Sequence, residues 1–60
     1  MEIHSELGKA HLEIINSAES PAMRARLISL ALKALNDLYD ESGDILVYLD
    51  AETLYYSTKG

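Results

Sequence analysis

Cysteine is absent, which removes disulfides and every thiolate metal site from a chain of 60 residues. A chain this short buries only about 60% of its unfolded surface and needs a staple, an oligomer or a partner to gain stability. With disulfides gone, a second copy or a larger partner is the leading source. Basic residues are also scarce: five Lys and Arg stand against ten Asp and Glu, a formal net charge of -5. That balance disfavours phosphate backbones and anionic lipid, so nucleic acid is not the expected partner, and a basic protein is. No apolar run approaches the roughly 20 residues that span a bilayer, and "MEIHSELGKA" lacks the apolar centre of a secretory signal. The expectation is a cytoplasmic protein without a membrane segment.

Chemistry-bearing motifs are missing as well. There is no glycine-rich phosphate loop, no serine in a nucleophile elbow, and no implied cofactor. A chain this small seldom builds the concave pocket that acid–base catalysis needs, so the reading is not an enzyme. His4 and His11 lie seven residues apart, about two helical turns, too far to share one metal easily. They read as histidines at the border of an apolar face, and no metal site is assigned.

What is present points to one folded domain, since the hydrophobic fraction of 48% is ordinary for a globular protein. Ser20-Pro21 and Ser42-Gly43 punctuate the chain into three pieces. In the first, Ile3, Leu7, Ala10, Ile14 and Ala18 recur at helical spacing, predicting an amphipathic helix over 2–17 with Gly8 as its weak point. The second carries Ser20 as N-cap and Pro21 in the first turn, then an Ala- and Leu-rich run that predicts a helix over 21–41. Gly43 is placed to end it.

The polar residues of this second helix collect in a narrow stripe, and the apolar arc is wider than one neighbouring helix can cover. Met23, Leu27, Leu30, Ala34 and Leu38 are therefore read as a self-complementary patch that forms a homodimer. Arg24 and Arg26, the only arginines, fall in its first turns.

The third piece is rich in Ile, Val, Tyr and Thr, residues that favour strands. With Asp50-Ala51-Glu52-Thr53 read as a turn, it predicts a β-hairpin with strands at 45–49 and 54–58. The fold class is then α+β, a two-helix hairpin followed by a C-terminal β-hairpin. The alternative is an all-α three-helix domain, favoured by the absence of glycine from the turn.

Asp37, Asp40, Glu41 and Asp44 crowd the end of the second helix, where carboxylates oppose the helix dipole at a cost of up to about 1 kcal/mol each. They read either as a solvated terminus or as an acidic patch for a basic protein partner. The functional expectation is a small acidic protein–protein interaction module, such as a phage- or plasmid-type inhibitor or antitoxin-like regulator. The alternatives are a dimeric DNA-associated regulator that sets Arg24 and Arg26 against phosphate, and a structural subunit without activity of its own.

Overall fold

The computed structural model describes residues 2–59, which form three α-helices: α1 (Glu6–Asn16), α2 (Pro21–Ser42) and α3 (Ile45–Lys59). The fold is all-α, and no strand occurs among the described residues. The β-hairpin expected over 45–49 and 54–58 is not formed, because one continuous helix occupies the whole segment.

Local chemistry starts each helix. Ser5 is the N-cap of α1, its hydroxyl accepting the Gly8 N–H at 3.0 Å. Helix α1 therefore begins four residues later than the apolar spacing suggests. Ser20 caps α2 through the Met23 N–H at 3.2 Å, with Pro21 in the first turn as its fixed φ favours. Gly43 ends α2 in the left-handed region at φ 69, and its N–H donates to the Tyr39 carbonyl at 2.7 Å. A side chain there would be strained, which is why glycine is the common residue at this position.

Asp44 explains part of the acidic crowding. Its carboxylate accepts the Leu46 N–H at 3.0 Å and its carbonyl accepts from Val47 and Tyr48, so it opens α3. A carboxylate that looks misplaced at the end of one helix is well placed at the start of the next.

Ile15, Ile28, Ala31, Leu35, Val47, Ala51 and Leu54 form the core, with Leu27, Leu32, Leu38 and Tyr39 packed around it. Val47, Ala51 and Leu54 sit at helical i, i+4, i+7 spacing, which turns all three toward α2. Leu35 and Leu54 are fully buried, each contributing about 2 to 3 kcal/mol of transfer free energy. The wide apolar arc of α2 thus finds cover on two sides within one chain, from α1 and from α3.

The inward face of α1 also differs from the expected one. Gly8 and Ile15 are buried, whereas Ala10 and Ile14 are exposed. The helix is rotated by roughly a quarter turn from its most apolar spacing. The reason is a close approach at Gly8: a Cβ there would meet Ile3 Cγ2 at 2.6 Å, Asp50 Oδ2 at 2.8 Å and Ser5 Oγ at 2.9 Å.

Candidate functional site

Helix α3 carries two constellations, a buried polar one that is structural and a largely apolar one that faces outward. The structural one is Asp50. It is wholly buried in α3, and its carboxylate accepts the backbone N–H of His4 at 2.8 Å and of Ser5 at 2.6 Å. The turn expected at 50–53 is therefore the middle of a helix. Burial pushes the Asp50 carboxyl up. Hydrogen bonds from the Ser5 hydroxyl and from the His4 and Ser5 backbone, with the His4 ring nearby, more than reverse that and hold it below its ordinary value.

This arrangement divides a capping box between two helices. In the local form, an N-cap serine bonds the N–H three residues on, and an acid at that third position reaches back to the N-cap N–H. Here Ser5 supplies the first bond, but the third position is Gly8. The returning carboxylate comes from Asp50, and the missing side chain of Gly8 makes the space it occupies. Asp50 is wholly buried and both of its carboxylate oxygens accept from the chain's own backbone, so it is not presented to a ligand.

The outward constellation lies on the other side of α3. Ile45, Leu49, Glu52 and Tyr56 recur at steps of four, three and four, which places them on one helical face pointing away from the core. Ile45, Leu49 and Tyr56 are 56%, 43% and 63% exposed, and Leu46, Tyr48 and Tyr55 stand exposed beside them. Helix α3 is apolar nearly all round, a composition that belongs to a helix covered on every side. Among the described residues α2 and α1 cover its inner side, and nothing covers this outward face.

Between this face and α2 runs a groove of about 290 Å³. Its α2 wall is Leu32 and Asn36, and its α3 wall is Tyr48, Ala51, Glu52, Tyr55 and Tyr56. Tyr39 of α2 packs on Tyr48 with ring centroids 5.3 Å apart, fixing one side. Tyr55 and Tyr56 meet edge to face at 5.5 Å and 73°. Three of the four tyrosines of the chain thus gather around one half-buried carboxylate, Glu52. The ion pairs among the described residues are Lys33–Asp37 at 3.2 Å and His4–Glu2 at 3.9 Å, and neither involves Glu52.

The residues singled out in the sequence are dispersed around this surface. Asp37 is paired with Lys33, Asp44 caps α3, and Asp40 and Glu41 are exposed in the last turns of α2. Asp40 follows Asn36 by four residues and so lies one turn further along the same face of α2, outside the residues that line the groove. Met23 and Leu30 are exposed, while Leu27, Ala34 and Leu38 are half-buried within the chain itself. Arg24 and Arg26 are exposed at the start of α2. His4 precedes α1 and His11 is half-buried on it. Among the described residues, no group of three His, Cys, Asp or Glu is close enough to hold a metal ion, and no helix is long and apolar enough to cross a membrane.

The tyrosine groove escapes a reading based on strands, because Tyr48, Tyr55 and Tyr56 then fall on different faces of a ladder. Helical spacing applied to 45–56 is the signal that would find it. No protein-family model matches the chain, and comparison with curated proteins and with solved structures finds no match.

Proposed function

We propose that this chain is a protein-binding module that docks a basic partner on the outward face of α3. The observation that carries the reading is the exposed apolar row of Ile45, Leu49 and Tyr56, flanked by Leu46, Tyr48 and Tyr55. Aromatic residues concentrated on one exposed helix face are the composition of interface cores rather than of ordinary surface. Contiguous apolar exposure rimmed by polar groups marks interaction sites in small proteins.

The sign of the partner's charge follows from the rim. Glu52 lines the groove, Lys33 is paired with Asp37, and the whole chain carries -5. Such a field speeds encounter with a basic surface and opposes nucleic acid. The mode is that of an inhibitor or regulator: the chain covers a surface of another protein and performs no chemistry itself.

The test is affinity capture from the source lysate with the wild-type chain and with an Ile45→Asp/Leu49→Asp variant, both checked for helicity by circular dichroism. The reading predicts a discrete basic protein retained by the wild type and lost by a variant that stays folded. Equal retention by both chains would move the docking site elsewhere. A wild-type chain that sediments as a stable dimer closed over α3 would replace the partner by a second copy.

A further inference from the structure

We infer that the groove between α2 and α3 is an aromatic pocket for a cationic side chain, an arginine or lysine of the basic partner. Glu52 is its counter-ion, and Tyr48, Tyr55 and Tyr56 are its walls. The inference rests on the docking reading above and names the anchor that α3 takes up.

The argument begins with volume. A groove of about 290 Å³ is below the usual size of a drug-sized ligand site and ample for one long side chain. It opens on the face of α3 that already exposes apolar area, so a side chain entering it belongs to something lying along that helix.

The lining then selects the chemistry. A cation is attracted to the faces of aromatic rings, and a planar guanidinium also stacks on them. Tyr55 and Tyr56, set at 73° to each other, make a corner that presents two differently oriented rings to one occupant. Tyr48, held by Tyr39 at 5.3 Å, closes the side toward α2. An anion would meet these rings and the Glu52 carboxylate together, which excludes phosphate and acidic peptides.

Glu52 decides between a cation and a plain apolar plug. It is half-buried, lines the groove, and takes no part in the ion pairs found among the described residues. Docking an apolar side chain would strip water from that carboxylate with no compensation, whereas a guanidinium or ammonium pairs with it. Asn36, on the opposite wall, supplies a side-chain carbonyl that can accept from the same donor group.

The probe is a short arginine–glycine peptide, with its citrulline counterpart as a control that keeps shape and removes charge. Both are titrated into the ¹⁵N-labelled full chain and followed by NMR at moderate salt. The expected result is a set of shifts confined to Leu32, Asn36, Tyr48, Glu52, Tyr55 and Tyr56, with about tenfold weaker binding for citrulline. Glu52→Gln and Tyr56→Ala each weaken the arginine peptide to a similar degree while leaving the rest of the spectrum in place. Shifts centred on Asp40, Glu41 and Asp44, or equal binding of the two peptides, would overturn the pocket.

The docking surface and the pocket fail differently. A captured partner that is lost on Ile45→Asp/Leu49→Asp but held undiminished by Glu52→Gln would leave α3 as the interface and remove the cationic anchor. Loss on both variants supports the two together.

Discussion

The Asp50 carboxylate of α3 sits in the space that a side chain at Gly8 of α1 would fill, its Oδ2 2.8 Å from the Cβ that an alanine would carry. Glycine inside a helix costs about 1 kcal/mol against alanine. Here that cost secures two hydrogen bonds, from the His4 and Ser5 backbone to a buried carboxylate 46 and 45 residues away in sequence. The packing of the first helix on the last is built around this junction.

Gly8→Ala is accordingly expected to destabilise the chain by about 1 to 3 kcal/mol, against its gain in helix propensity, because Ile3, Asp50 and Ser5 must all move. Urea unfolding followed by circular dichroism measures the change. In an Asp50→Ala background the cost should shrink, since one of the three obstructing groups is gone. A stabilised Gly8→Ala would show that the close approach does not exist in solution.

Asp50→Ala removes the acceptor for two part-buried N–H groups and is expected to cost about 1 to 3 kcal/mol. Asp50→Asn keeps the shape but turns an amide donor toward backbone donors, and should recover only part of this. Thermal melts of the two variants beside the wild type give the ranking. Equal stability of all three would mean that Asp50 is solvated.

Acid sensitivity follows from the same group. The folded state holds the Asp50 carboxyl below its ordinary value, so on acidification the unfolded chain takes up this proton first. Its contribution is complete above the ordinary carboxylate range and is lost as the pH falls through that range and below. The wild type should lose stability from about pH 5 downward, and Asp50→Asn should show a flatter acid limb. Identical acid limbs for the two would contradict the linkage.

Gly43 offers the converse of Gly8. Nothing lies within 4 Å of a Cβ built there, yet its φ is 69. Gly43→Ala should therefore cost about 1 kcal/mol through backbone strain alone, and Gly43→Asn less. Equal effects of alanine and asparagine in chemical denaturation would show that the left-handed geometry is not what glycine supplies.

How much of this is legible in the sequence differs between the helices. Helix α2 is plain, because Ser20, Pro21 and Gly43 mark its ends and Ala and Leu fill it. Helix α3 is obscured by Asp50. A carboxylate in the buried stripe of Val47, Ala51 and Leu54 breaks the helical pattern, and beside Ala51, Glu52 and Thr53 it imitates a turn. Its partners, the His4 and Ser5 amides, are backbone groups and leave no mark in the sequence. Strand propensity in Ile, Val and Tyr is overridden by packing on α2. The acidic cluster is visible in the sequence, but not its division of labour: Asp44 starts a helix, Asp37 pairs with Lys33, Asp40 and Glu41 stay exposed, and Glu52, outside the cluster, lines a groove that exists only once α3 is helical.

Backbone NMR of the full chain tests the central claim most directly, because both the buried cap and the docking face require α3 to be a helix that brings Asp50 to α1. The account predicts helical Cα shifts throughout 45–57, and His4 and Ser5 amide resonances that titrate together with the Asp50 carboxylate, below the usual carboxylate range. Extended shifts at 45–49 and 54–57, with His4 and Ser5 amides indifferent to that titration, would contradict it.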